Sequence, residues 1–197
     1  MYSLSASEVR PTGEGRGLRR DAIDDLLLYR PFAARDRRRE DFLEVARRRL
    51  AQGQHVYTFT ADGALLHYSW LEEGTERAGS EFDHEFRLPG PAAILWDDYT
   101  RPDARGRGLQ TRSIHRRLQD AAAGGQTRMF IGVRADNAIS RHNIEKVGFT
   151  HWASGWARYR LGHVKRWITY ARPDTDLDAA PGLAPTRVAA VPRHLWP

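Results

Sequence analysis

Between Ala92 and Ala123 the chain passes through three kinds of structure with no slack between them. An apolar run from Ala92 to Trp96, extended to Thr100, reads as a strand. It stops at an arginine- and glycine-rich stretch, Arg101 to Gly108, and a helical pattern starts at Leu109. Ile114, Leu118, Ala121 and Ala122 share one face of that helix, and Gly124-Gly125 ends it. A strand, a glycine loop and a helix in that order belong to a layered α/β fold.

The flanks extend the same architecture. Asp21 to Arg30 predicts a short helix ended by Pro31, and Phe42, Val45, Ala46 and Leu50 predict an amphipathic helix over Arg35 to Leu50. His55 to Thr60 and Ala64 to Leu71 are β-branched and aromatic and flank Asp62-Gly63, the signature of a hairpin. Gly74 to Ser80 reads as loop, and Glu81 to Leu88 is ambiguous between strand and loop. Thr127 to Arg134 alternates Met129, Ile131 and Val133 as a strand. Asn137 caps a short helix that Gly148 ends, and Phe149 to Gly162 and Val164 to Tyr170 are aromatic strand candidates. The fold class is therefore mixed α/β: one domain, a mixed central sheet, helices on both faces. Residues 1–20 carry weak structural signal and are expected to be a flexible segment, 21–172 form the domain, and the Pro- and Ala-rich stretch 173–197 is a tail dispensable for folding.

Composition narrows the classes. With 41% hydrophobic and 28% charged residues, a chain of 197 residues is globular rather than disordered. It holds no run of about 18 apolar residues and no signal-peptide pattern near Met1, so a cytoplasmic location is expected. Cysteine is absent and the eight histidines are scattered, which leaves no thiolate nucleophile and no metal-ligand spacing, so no metal is expected. The net charge of +6 carries its positive side almost wholly on arginine, the only lysines being Lys146 and Lys165, and it suits an anionic partner, whether nucleic acid, a phosphorylated cofactor or a membrane surface, among which net charge does not choose.

Arg105, Gly106, Arg107, Gly108, Leu109 and Gln110 are where such a cofactor would bind. The first turn of a helix leaves backbone N–H groups unpaired at its positive end, and glycines let a phosphate approach the backbone. The two arginines would add charge-assisted hydrogen bonds. The loop lacks the Gly-Lys-Ser/Thr of a P-loop and the third glycine of a dinucleotide fingerprint.

After the next strand come Asn137, Ser140, Glu145, Lys146, Gly148 and Phe149. The loop and this second segment together resemble the GNAT acyltransferase superfamily, in which a strand and an R/Q-x-x-G-x-G/A loop bind the pyrophosphate of CoA and a later strand leads to an Asn and a short helix ending in Gly-Phe. Asp103 stands where the first loop residue is usually Arg or Gln. The resemblance implies an N-acyltransferase, most simply an N-acetyltransferase, with acetyl-CoA or a longer acyl-CoA as co-substrate and an amine acceptor on a peptide, amino sugar or small metabolite. It implies that backbone N–H groups near Tyr99 and Thr100 stabilise the oxyanion, and that Asn137 and Ser140 lie against the cofactor. Many members carry a tyrosine acid seven residues after the Asn, where this chain has Ile144, so Ser140 is the substitute hydrogen-bond donor.

Attack by an amine on a thioester needs no covalent intermediate, but an alkylammonium with a pKa of about 10.4 must lose a proton. Asp98, and after it Asp97, interrupts the apolar strand just before the cofactor loop and is the candidate base, with His67 and Tyr68 as rivals. Adjacent strand residues point to opposite faces, so one of the two aspartates faces the acceptor. Trp152, Trp156 and Trp167 read as core aromatics of the terminal strands, and His142 as a surface residue. Two other readings stay open: a basic module binding nucleic acid through its arginines, which is not the expected one, and a GNAT fold used for binding alone. A homodimer is allowed by everything above.

Overall fold

The computed structural model describes residues 1–171, apart from 12, 16, 35, 81, 82, 91 and 161. The expected tail, 173–197, lies outside the described residues. In chain order the strands are β1 (Tyr2–Ser5), β2 (Arg19–Arg20), β3 (His55–Ala61), β4 (Ala64–Glu73), β5 (Arg77–Gly79), β6 (Glu85–Arg87), β7 (Ala92–Thr100), β8 (Arg128–Ile131), β9 (Thr150–His151), β10 (Ala153–Arg160) and β11 (His163–Tyr170). The α-helices are α1 (Ile23–Leu26), α2 (Arg39–Ala51), α3 (Leu109–Ala123) and α4 (Ala138–Val147). Seven strands form one sheet in the order β2-β3-β4-β7-β8-β1-β9, and β5-β6 and β10-β11 are separate two-stranded ribbons. Within the large sheet β7 and β8 are parallel, joined through α3, and the other described pairs are antiparallel.

Each face of the sheet is covered, as its apolar alternation requires. Tyr57, Leu71, Leu95 and Met129 meet Ile114, Leu118 and Ala121 of α3 and Ile144 of α4 on one face. On the other, Val56, Tyr68 and Trp70 pack on Leu26 of α1 and on Phe42 and Ala46 of α2. Further along that second face, Ile94 and Phe130 are covered by Phe86 and Trp152. Helix α2 starts at Arg39 rather than Arg35 because the preceding loop is held differently. The Asp36 carboxylate accepts the N–H groups of Phe32 (2.8 Å) and Ala33 (2.9 Å), and Arg38 is extended.

Two expectations are corrected. The first five residues are not a loose segment: β1 lies inside the sheet between β8 and β9, with Tyr2 and Leu4 buried. Their alternation spans only four residues, too few to separate from loop by pattern. The stretch expected as loop before Ser80 contains β5, which pairs with β6 outside the main sheet.

Strand β7 has two irregularities that open the fold at one point. Tyr68 pairs with Tyr99 and Trp70 with Trp96, so β7 carries an extra residue, a β-bulge at Asp97-Asp98. Asp97 adopts a φ of +47°, a left-handed conformation that aspartate tolerates better than most residues. The bulge sets Trp96 and Tyr99 against the same apolar cluster, although their separation of three would put them on opposite faces of a regular strand. Pairing with β8 runs only from Ala92-Arg128 to Leu95-Ile131. From Trp96 to Thr100, β7 is therefore paired with β4 alone and presents its other edge to an opening.

Candidate functional site

The loop after β7 ends at that opening. Gly106 and Gly108 have φ of +77° and +69°, conformations that cost little only for glycine, and a Cβ built on either would meet nothing within 4 Å. At these two positions the described residues leave the backbone open to approach. Gly108 caps α3 without a side-chain hydrogen bond, and the helical ladder begins with Arg112 N–H donating to Gly108 O (3.0 Å). The N–H groups of Leu109, Gln110 and Thr111 precede the ladder at the positive end of a 15-residue helix, a backbone cradle suited to an anion. Arg105 and Arg107 are exposed beside it. Asp103, the unusual loop residue, is held by Arg101 at 2.6 and 2.7 Å, so its negative charge is compensated near the cradle.

Helix α4 is locked to this loop. Asn137 Oδ1 accepts the Ser140 N–H at 3.1 Å, the cap expected from sequence. Gln110 Nε2 donates to Ser140 Oγ (3.1 Å), and Gln110 Oε1 accepts from Asn143 Nδ2 (3.1 Å). Gln110, Asn137 and Ser140, each a candidate cofactor contact from sequence, are brought together here, and Asn143 joins them unforeseen. Ile144 is fully buried in the core.

Backbone direction at the opening follows from one bond. Arg101 N–H donates to Leu66 O of β4 at 2.9 Å. Alternation then turns the Tyr99 N–H toward β4 and the Thr100 N–H toward the open edge. The Tyr99 side chain lies on the α1-α2 face, where its hydroxyl donates to Asp36 at 2.9 Å.

The two aspartates part company at the bulge. Asp98 turns to the α3 face, where Arg117 Nη2 donates to its carboxylate at 2.5 Å. Arg117 has no exposed side-chain surface, and its Nη1 donates to Trp70 O at 2.9 Å. Burial raises the Asp98 carboxyl above the ordinary range, against the opposing pull of Arg117 and a hydrogen bond from Gln110. Asp97 turns to the α1-α2 face and meets Arg49 Nη1 at 2.5 Å and Arg37 Nη1 at 3.5 Å. The Arg49 guanidinium is itself stacked over Trp96 at 4.0 Å and faces Trp70 at 5.0 Å. Both candidate bases are thus ion-paired. The rivals are less suited still: burial drives His67 down to about 3 and Tyr68 well above the ordinary phenol range. His67 Nδ1 instead meets Thr100 Oγ1 at 2.8 Å, a cross-strand contact.

Sequence reasoning missed Arg117, Arg37, Arg49 and Asp36. Only Arg117 left a trace. With Ser113 it interrupts the buried stripe that Leu109, Ile114, Leu118 and Ala121 define, a polar pair on an apolar face. Among the described residues no group of His, Asp and Glu has the arrangement of a metal site, and no helix is long and apolar enough to cross a membrane.

The sequence model of the acetyltransferase (GNAT) family matches residues 28–149. No curated protein matches the sequence. Among solved structures, an N-acetyltransferase from Staphylococcus aureus Mu50 superposes with a TM-score of 0.53 at 18% identity, covering 78% of this chain and 94% of its own. An aminoglycoside 6'-N-acetyltransferase from Acinetobacter haemolyticus gives 0.51 at 19% identity, covering 68% and 90%. A protein from Clostridium acetobutylicum described as a predicted acetyltransferase, solved with acetyl-CoA, gives 0.50 at 14% identity, covering 73% and 95%.

Proposed function

This chain belongs to the GNAT acetyltransferase family, and from that premise we propose that it moves an acetyl group, or a longer acyl group, from acyl-CoA to an amine by direct attack. One observation carries the proposal. The edge of β7 that β8 leaves unpaired after Leu95 leads, through the loop of residues 101–108, to the start of α3, which no side chain caps. An extended ligand with an amide-bearing arm and a pyrophosphate fits a bare strand edge that leads to an anion cradle.

The roles of the residues follow. Acyl-CoA supplies the activated thioester. The N–H groups from Gly106 to Gln110 bind its phosphates, with Arg105 and Arg107 adding charge, and Asn137 and Ser140 keep α4 against that loop. We give the Thr100 N–H, which faces the open edge, the role of donor to the carbonyl oxygen as it gains charge. With Ile144 in the core, no tyrosine acid is needed at that position, because a thiol with a pKa of about 8.5 leaves readily as thiolate. The Ser140 hydroxyl can hydrogen-bond it. We assign Asp97 as the carboxylate that draws in the acceptor ammonium on the α1-α2 face and accepts its proton, directly or through water, before the amine attacks, and Asp98 as a positioning residue that holds the bulge through Arg117.

The acceptor is an amine of modest charge. The aminoglycoside acetyltransferase of Acinetobacter haemolyticus shares the fold, but a polycationic substrate favours a net acidic pocket. Here Asp36 and Asp97 stand beside Arg37 and Arg49.

The test is a thermal-shift titration with CoA and acyl-CoAs of increasing length, followed by thiol release with a panel of amines. CoA at a hundred times its Kd should add about 2.7 kcal/mol, a rise of about 5–10 °C, and acetyl-CoA should turn over with at least one amine. Stabilisation without turnover on any amine would leave a binding protein, and absence of both would refute the reading. A narrower expectation concerns Asn137→Ala. It should cost about 1 kcal/mol in urea unfolding as a lost cap and also raise KM for the acyl donor, since Ser140 and Gln110 lose their register. An unchanged KM would reduce Asn137 to a cap.

A further inference from the structure

Among the described residues, ribbon β10-β11 has a face that the rest of the fold does not use. Its inner side is docked on the body: His84 Nε2 meets Trp156 O at 2.8 Å, the Tyr170 ring packs edge-on against Trp152, and Arg166 pairs with Asp83. The outer side follows from the register. Trp156 lies opposite Trp167, Arg158 opposite Lys165, and Arg160 opposite His163. Successive pairs on one side of a strand recur about 6.8 Å apart, so the face is a short ladder of one aromatic rung and two basic rungs.

Three features set this ladder apart from an ordinary solvated surface. The tryptophans, expected from sequence to be core, are exposed by 51% and 40%, and their rings stack at 6.4 Å with planes 15° apart. Trp156 Nε1 donates to Thr169 Oγ1 at 2.8 Å, which fixes the ring on the outer side. From Lys146 to Pro173 the chain has no Asp or Glu, and the outer cations have no ion-pair partner among the described residues. Like charges set directly opposite on a ribbon destabilise it. The arrangement therefore calls for an anion along the strands and a planar apolar group at the tryptophans.

Candidate occupants differ in how they meet those two demands. A second copy of this ribbon laid face to face would bring cations onto cations. A duplex hides the faces of its bases. A lipid surface supplies charge but nothing flat for two upright, mutually stacked indoles. A single strand offers both, bases with open faces and a phosphate at each step, and stacking on exposed aromatics beside a basic track is how such strands are held. We propose that the outer face of β10-β11 binds single-stranded nucleic acid, bases stacking on Trp156 and Trp167 and phosphates lying along Arg158, Arg160 and Lys165. This role is separate from acyl transfer and stands or falls independently of it.

The experiment uses the full chain and a fluorescein-labelled 12-nucleotide oligothymidylate, or the matching oligouridylate, read by anisotropy across a salt series. Trp156→Ala with Trp167→Ala should weaken binding about tenfold or more. Arg158→Glu with Lys165→Glu should lower the slope of log affinity against log salt by about 1.4, two contacts at about 0.7 each. Arg47→Glu with Arg48→Glu, on the exposed side of α2, makes the same change in net charge and should alter binding much less. The exposed charge pair preserves the test should the tryptophan variant fold poorly. Equal weakening by the α2 pair would overturn the proposal, as would binding a duplex as tightly as the single strand, or indifference to both ribbon variants. Tighter binding to phosphatidylserine vesicles than to the oligonucleotide would also overturn it, and so would a dimer that the tryptophan changes dissociate while oligonucleotide affinity holds.

Discussion

Gly108→Glu abolishes stabilisation by CoA while the unliganded protein stays folded. Gly108 sits at φ +69° at the start of α3 with nothing within 4 Å of where a Cβ would project. A side chain there meets no protein, so the fold bears mainly the cost of a left-handed non-glycine residue, about 1–2 kcal/mol. The ligand bears far more. The new carboxylate stands where a pyrophosphate would approach the N–H groups of Leu109 to Thr111, and both crowds and repels it. The shift of about 2.7 kcal/mol at a hundredfold excess of CoA should vanish. Gly108→Ala separates the two effects, because it carries the same backbone strain without the charge and should retain part of the shift. A folded Gly108→Glu protein that still responds to CoA with unchanged affinity would mean that the phosphates lie elsewhere.

Asp98→Asn unfolds the protein at a much lower temperature, a drop of about 10 °C, before any effect on rate is considered. The Arg117 guanidinium is fully buried, and its partners are the Asp98 carboxylate and two backbone oxygens, those of Trp70 and Ser113. Removing one member of a buried ion pair leaves an uncompensated charge and costs about 3–5 kcal/mol. The cycle completes the argument. Arg117→Met should be costly too, but adding it to Asp98→Asn should restore much of the loss, because no lone charge then remains. If Asp98 is also the general base, the folded Asp98→Asn protein loses in addition about 10²–10⁴-fold in rate and the acidic limb of kcat/KM. Asp97→Asn gives the converse pattern, a loss in kcat/KM for the acceptor with a smaller loss of stability, since the side chains of Asp97 and Arg37 are each 24% exposed and the buried Arg49 keeps its stacking over Trp96.

Much of the geometry of the proposed cofactor side was readable because it depends on local chemistry. Gly106 and Gly108 are glycines for their positive φ, Asn137 caps the helix that follows it, and Asp62-Gly63 turns the β3-β4 hairpin, each within a few residues of sequence. The acceptor side was not readable. Asp97 meets Arg49 across 48 positions and Tyr99 meets Asp36 across 63, and no periodicity encodes pairings of that range. The tryptophans of β10-β11 misled for a similar reason. Aromatic alternation marks a strand but does not say which side finds a partner, and here the Trp156-Trp167 side found none in the described fold.

By itself the sequence determined a strand, a glycine turn and a helix in succession, unpaired N–H groups at their junction, and a capped helix close behind, because short-range backbone sterics and capping decide all of these. Tertiary structure alone decided that β8 stops at Ile131 while β7 runs on to Thr100, and that a bulge sends Asp98 to Arg117 and Asp97 to Arg49. Where two strands part, and which face a bulged residue takes, depend on how helices and sheet fill the space between them. That balance is struck by packing over the whole domain and not by any one segment.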